Sequence, residues 1–225
     1  MARRGDKLKA LAREIGDDVT VHTIVQDLAE HGGAKKVYAK VRRLKAHVDQ
    51  LINNAGSGDY AVFARSKLER QENIVGVNIT SLTALTHLFL PEMIRQKHGR
   101  ILNVASITAF APLPYMSVYG ATKSFILSFS QSLGEELRGS GVTVTCLCPG
   151  VFKSGFSRAA GARGNNPIAR TKTSAHAVAA FGYHSMQEGV AIAIPGIRSK
   201  LLANVIFRLS PRAWARRIMA RLMKS

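Results

Sequence analysis

Apolar residues recur along this chain in two rhythms that take turns, and their alternation defines the expected fold. Over residues 3–15, Leu8, Leu11 and Ile15 return at spacings of three and four, the period of one helix face. Residues 19–25 are instead rich in β-branched side chains and end at Asp27, which predicts a strand. Val37, Val41 and Leu44 mark one stripe of a helix over 34–47, and residues 50–53 read as a short strand running into Asn53-Asn54-Ala55-Gly56. A long helix follows over 67–96, stopped by His98-Gly99, and then a strand over 100–105. The spacing predicts a helix over 117–138 ending near Gly139 and Gly141, and a strand over 142–148 closed by Pro149-Gly150. A helix over 175–188 and a strand over 190–194, before Pro195-Gly196, complete the series. Strands separated by helices predict an α/β fold with a doubly wound parallel sheet covered on both faces.

Residues 198–225 break this rhythm. They carry Arg198, Lys200, Arg208, Arg212, Arg216, Arg217, Arg221 and Lys224 and no acidic residue. Leu201, Leu202, Val205, Ile206, Leu209, Trp214, Ile218, Met219 and Leu222 supply an apolar side, and Pro211 is expected to split the segment into two helices. The expected organisation is a main domain over 1–197 and a basic amphipathic helical tail over 198–225. Such a tail can pack on its own domain, on a partner subunit, or on anionic lipid as a peripheral membrane contact. The loop over 155–173, with its Gly and Arg residues, is the expected mobile region.

At 225 residues and 46% hydrophobic content the chain can bury a substantial core. Its formal net charge of +18 attracts anions of every kind. The Lys and Arg residues are scattered, however, and no nucleic-acid-binding motif accompanies them, so nucleic acid is not the expected partner. Cys146 and Cys148 are two apart in one strand, hence on one buried face, and their spacing suits neither a redox pair nor a zinc site. No metal site is expected. The opening Met-Ala-Arg-Arg-Gly-Asp has no secretory character, and no stretch approaches the ~18 uninterrupted apolar residues of a membrane span. The expected location is the cytoplasm, with the tail as the one route to a membrane surface.

The chemistry concentrates in Ser106, Tyr119 and Lys123. Tyr119 and Lys123 stand four apart on a predicted helix and share a face. A phenol titrating near 10 shuttles protons poorly at neutral pH, and a nearby ammonium lowers that value by stabilising the phenolate. Ser106 falls at the carboxyl end of a strand, where open α/β sheets bind ligands, and its hydroxyl can hydrogen-bond a substrate carbonyl. Taken singly, the Tyr–Lys pair reads equally as a solvated surface pair, and Ser106 as a turn or cap residue. Order and spacing together single them out.

Asn53-Asn54-Ala55-Gly56, Val77-Asn78-Ile79, Asn103-Val104-Ala105-Ser106, Tyr119-Gly120-Ala121-Thr122-Lys123 and Pro149-Gly150 follow one another in the order and spacing of the short-chain dehydrogenase/reductase family, which the chain resembles from Arg3 through Gly196. The resemblance implies a Rossmann-like sheet and an oxidoreductase that passes hydride between a nicotinamide cofactor and a carbonyl or alcohol carbon. It implies Tyr119 as the acid/base, Lys123 as the group that lowers its pKa and holds the nicotinamide ribose, Ser106 as the carbonyl-orienting hydroxyl and Asn78 as the holder of a relay water. Asp27 and Leu28 match positions beside the adenine, and Asn54, Ala55 and Gly56 line the adenosine side. Pro149, Gly150 and Val151 match the loop beside the nicotinamide, with Ser154 where the family usually has Thr. Arg3 and Arg4 resemble the basic strand end of NADPH-preferring members, so NADP(H) is expected over NAD(H). Ile194-Pro195-Gly196 resembles a subgroup acting on ketoacyl and steroid substrates, which with the tail suggests an apolar or lipid-like small-molecule substrate. Family members are commonly homo-oligomers built on the helices that hold Asn78 and Tyr119.

The chain also departs from the family pattern. The family's first strand, glycine-rich loop, first helix and most of its second strand do not precede Arg3. That loop and helix N-terminus normally hold the cofactor pyrophosphate. The expectation is therefore an incomplete first unit, with residues 19–25 deprived of a usual neighbour. Met1 then marks either a fragment or misplaced start, or a shortened protein that is inactive or completed by a partner chain. The alternative function is a non-catalytic scaffold that binds a partner or a membrane surface.

Overall fold

Alternate residues of two central strands divide cleanly between two helical layers, and this division organises the molecule. In the computed structural model, which describes residues 1–16, 19–152, 154–161, 173–203 and 212–223, four parallel strands lie in the order β1 (Gln50–Asn53), β2 (Gly99–Val104), β3 (Val142–Leu147) and β4 (Ile192–Ala193). Ile101, Val142 and Val144 turn to one face, where Leu85, Phe89 and Met93 of α4 (Ser81–Gln96) and Leu133 of α5 (Ser117–Glu136) meet them. Leu102 and Leu147 turn to the other, against Val178 and Met186 of α7 (Ala175–Gln187). A period of two in the strands and of 3.6 in the helices is what two-sided burial requires. Cys146 and Cys148 share the first face with no exposure, their sulfurs 3.8 Å apart.

The remaining helices are α1 (Gly5–Ile15), α2 (Gly33–Arg43), α3 (Leu68–Val75), α6 (Phe156–Ala159), α8 (Ile197–Leu201) and α9 (Arg212–Met223). Most expected elements agree within a residue or two. The expected helix over 67–96 is instead α3, a π-helical turn over Gly76–Thr80, and α4. This run is long and apolar enough to cross a membrane by length and composition, yet Leu82, Leu85, Phe89 and Met93 are buried against the sheet.

The strand expected over 19–25 does not form. A single bridge joins Val25 to Ala2, with Ala2 N donating to Ile24 O at 3.2 Å and Gln26 N to Ala2 O at 3.1 Å. Val19 and Val25 are half exposed. β-branched composition favours a strand only where neighbours supply the ladder, and among the described residues Ala2 alone does so. The loop over 155–173 begins with the short helix α6, and its remainder over 162–172 lies outside the described residues. Pro211 and the rest of 204–211, where the tail was expected to divide, also lie outside them, with α8 and α9 described on either side.

A buried polar chain ties the carboxyl ends of the strands to the helices. Asn53 Nδ2 donates to Asn103 Oδ1 at 2.9 Å, across the register pair of β1 and β2, and to Thr86 Oγ1 of α4 at 3.1 Å. Asn103 Nδ2 donates to Ser130 Oγ of α5 at 2.9 Å, and Ser130 Oγ donates to Ile126 O. Asn103→Ala would remove one hydrogen-bond partner each from the buried Asn53 amide and Ser130 hydroxyl and leave a cavity between β2 and α5. We expect a loss of about 3 kcal/mol, read as a lowered urea midpoint at unchanged slope.

Candidate active site

One stripe of α5 serves both the core and the candidate site. Tyr119, Lys123, Ile126, Ser130 and Leu133 succeed one another at spacings of four and three and are all buried. Because α5 runs antiparallel to the strands it covers, the amino end of the stripe reaches the carboxyl edge of the sheet. Lys123 Nζ donates to Val104 O, the last residue of β2, at 2.7 Å and stands 5.6 Å from the Tyr119 ring centroid. Ser106, two residues on, caps the short 3-10 turn over Ile107–Phe110 by accepting from Thr108 N at 3.2 Å. Thr108 Oγ1 is buried with no hydrogen-bond partner among the described residues.

Asn78 sits in the π-helical turn with 1% exposure. Its Oδ1 accepts from Ser57 N at 2.8 Å, and its Nδ2 donates to Ser57 O at 3.0 Å and Thr122 Oγ1 at 2.9 Å. The Thr122 hydroxyl in turn donates to Tyr119 O at 2.7 Å. Asn78 is thereby locked between the loop after β1 and the helix of Tyr119. A Cβ built on Gly56 would stand 3.7 Å from both Asn78 Oδ1 and Lys123 Nζ, which brings the Asn53-Asn54-Ala55-Gly56 segment to the same place. Ser106, Tyr119, Lys123 and Asn78 thus gather at one sheet edge, three of them in spatial contact through Thr122, Gly56 or Val104.

Desolvation governs the proton affinities here. Burial pushes the Tyr119 phenol up to about 12, and the neighbouring Ser106 and Thr108 hydroxyls lower it by less. Burial likewise brings the Lys123 ammonium down to about 8, partly offset by the Cys146 and Cys148 sulfurs. The sequence led us to expect Lys123 to lower the Tyr119 pKa. In this structure its Nζ is turned to Val104 O instead, and burial of the phenol prevails.

The expected cofactor residues are distributed unevenly. Asn54, Ala55 and Gly56 form an exposed strip along the sheet edge, Pro149 is buried, Gly150 is half-buried, and Val151 and Ser154 are exposed. Gly150 lies against α8, where a Cβ would stand 2.8 Å from Ser199 Oγ. Ser154 Oγ accepts from Phe156 N at 3.4 Å. The Arg3 guanidinium lies 3.6 Å from the Asp27 carboxylate, which also accepts from Ala29 N. Arg4 is exposed, and Leu28 packs against the core. Two hollows, of about 160 Å³ beside Gly99 and Gly141 and about 330 Å³ beside β4, lie away from Tyr119.

Several neighbours of Tyr119 were not anticipated. The Phe156 ring lies 5.1 Å from the Tyr119 ring, and Gly58 approaches both so closely that a Cβ there would stand 2.7 Å from Phe156 Cζ. Met219 and Met223 of α9 join Ile74, Leu113 and Tyr119 in one buried cluster, and Tyr60 donates its hydroxyl to the Met223 carbonyl. The sequence placed Met219 on an apolar side of the tail, but nothing there told which surface that side covers.

A doubly wound α/β protein with a Ser–Tyr–Lys grouping at the carboxyl edge of its sheet is thus defined by geometry alone. Residues 1–164 match the family model described as short chain dehydrogenase. Serine 3-dehydrogenase of Agrobacterium fabrum is 36% identical over 156 residues, covering 69% of this chain and 61% of that protein. An uncharacterized oxidoreductase of Myxococcus xanthus is 30% identical over 220 residues, covering 93% and 84%. A short-chain dehydrogenase from Sphingobium yanoikuyae, solved in complex with NADPH, superposes with a TM-score of 0.78 at 27% identity, covering 98% of this chain and 84% of that one. The chain belongs to the short-chain dehydrogenase family. It spans 61% of the length of the serine 3-dehydrogenases it matches.

The buried ammonium predicts a specific pH dependence. Lys123 holds its proton less tightly folded, at about 8, than at its ordinary 10.5. Between those values the unfolded chain binds more protons, so stability rises with pH across this window, by up to about 3 kcal/mol. Urea unfolding at pH 8 and at pH 10.5 should show that increment in the wild type and not in Lys123→Met. Equal increments in the two proteins would mean that the ammonium is solvated.

Proposed function

We propose that this chain carries the proton-transfer and nicotinamide-ribose side of an NADP(H)-dependent oxidoreductase site that interconverts a carbonyl and an alcohol. The observation that carries the reading is the convergence of Ser106, Tyr119, Lys123 and the Thr122-anchored Asn78 at the carboxyl edge of a parallel sheet. A buried ammonium and phenol are costly to maintain for packing alone. The exposed strip at Asn54, Ala55 and Gly56 beside Lys123 Nζ fits the ribose end of a dinucleotide.

Tyr119, with its pKa held near 12, keeps its proton at neutral pH and donates it to the oxygen of a carbonyl undergoing reduction. The Ser106 hydroxyl, and the unpartnered Thr108 Oγ1, orient that oxygen toward the phenol. Lys123 uses Val104 O as one acceptor and keeps donors for ribose hydroxyls, which brings its positive charge beside the phenolate left after proton transfer. Asn78, fixed to Ser57 and Thr122, holds the polar relay that returns a proton. The nicotinamide, when bound, supplies or takes up the hydride. The NADPH in the Sphingobium yanoikuyae relative supports the choice of NADP(H), with Arg3 beside Asp27 and the exposed Arg4 next to it as the cations to meet a 2′-phosphate. A small carbonyl or alcohol compound of apolar, lipid-like character suits Leu113, Met219 and Met223 around Tyr119.

NADPH fluorescence titration followed by turnover on a panel of ketones tests the proposal. Tyr119→Phe should keep NADPH binding within a few-fold and lower kcat by at least about a thousandfold. Unchanged turnover in Tyr119→Phe would refute the mechanism. Absence of NADPH binding in the wild-type chain would favour the non-catalytic scaffold, for which the engagement of Lys123 by Val104 O is the supporting observation.

A further inference from the structure

α9 has two faces, and among the described residues only one is packed against the fold. Ala215, Met219 and Met223, at 4%, 7% and 8% exposure, form the inner face. Trp214, Arg217, Ile218 and Arg221 succeed one another at spacings of three, one and three, so they form a single stripe on the side away from that inner face. All four are exposed, Trp214 at 64% and Ile218 at 44%. An indole and a branched aliphatic side chain held in water between arginines gain nothing from the fold that presents them.

We propose that this outer stripe of α9 docks the protein on an anionic lipid surface. Trp214 and Ile218 would enter the boundary between headgroups and acyl chains, and Arg217 and Arg221 would pair with lipid phosphates on either side. The charge around the stripe is complementary to such a surface, because no acidic residue follows Glu188 while eight Lys and Arg residues occupy 198–225. Further apolar side chains are exposed in α8 and in the segment that meets the end of α9. α8 leaves Ile197 85% and Leu201 56% exposed. The segment after Tyr60, which receives the end of α9, exposes Phe63 and Leu68 beside Arg65 and Lys67.

Two other occupants fit less well. A second copy would bring Arg217 and Arg221 against their own kind in a chain of net charge +18. Nucleic acid would satisfy the arginines and leave Ile218, Ile197 and Leu201 without a role. The inference stands independently of the oxidoreductase reading. If both hold, the helix that covers Tyr119 from above is the one that meets the membrane, which is the arrangement an apolar substrate requires.

Trp214 is the chain's single tryptophan, so its emission reports docking directly. Vesicles of phosphatidylcholine with phosphatidylglycerol should sediment the protein and shift its emission to the blue, whereas pure phosphatidylcholine vesicles should do neither. Arg217→Gln with Arg221→Gln, which keeps Trp214 and changes only exposed side chains, should weaken vesicle affinity about 30-fold. Ile218→Asp should abolish the blue shift with an unaltered thermal melt. The proposal fails if anionic vesicles leave emission unchanged, or if the double arginine variant binds them as the wild type does. It fails equally if the blue shift grows with protein concentration in the absence of lipid, or if duplex DNA competes the protein off vesicles at low ionic strength while Ile218→Asp binds them normally.

Discussion

Keeping an ammonium out of water beneath a helix is the constraint around which this molecule is arranged. Lys123 is held by a backbone carbonyl at the end of a strand, buried from solvent and with no carboxylate paired to it among the described residues. A charge can be kept there only if the neighbouring groups are fixed in place, since a mobile environment would admit water or expel the side chain. The fixing is visible on each side. The Asn53–Asn103–Ser130 chain binds β1, β2 and α5 at the same level, and Thr122 secures the backbone of the preceding turn to Asn78. Core and site are one continuous structure, with the apolar half of the α5 stripe anchoring its polar half.

Much of this was legible in sequence because it depends on spacing within one element. Tyr119 and Lys123 share a face for the same reason that Ile126 and Leu133 do. The strand over 50–53 was read from its run into Asn53-Asn54-Ala55-Gly56, and the placement of the cysteine pair from the two-residue period of strand faces. Motif order extended the reading across elements to Asn78 and Ser106. Beyond that point the sequence was silent. Ser57 holds Asn78 through main-chain atoms that any residue offers, so no residue type betrayed it. Met219 lies a hundred positions from Tyr119, and helical periodicity states that a face is buried without stating against what.

Two features turn on partners that local preference does not reveal. Residues 19–25 have strand-like side chains, but a ladder is a property of two chains' backbones and only Ala2 answers. Lys123 and Tyr119 share a face as their spacing requires, while the Val104 carbonyl takes one donor of the ammonium and burial is the largest influence on the phenol. In each case the competing partner comes from another part of the chain.

The π-helical turn over Gly76–Thr80 has a bearing on how the chain tolerates change. One extra residue in that turn rotates α3 relative to α4 by about a hundred degrees, so each helix keeps its own buried stripe while Asn78 is aimed inward between them. A substitution at an exposed position of the turn leaves this phase intact. A one-residue deletion would regularise the hydrogen bonding and improve the helix as a helix, while swinging every side chain of α3, Ile74 and Arg70 included, off its partner. A one-residue insertion or deletion here would therefore disturb the fold more than a point change at an exposed position of the turn.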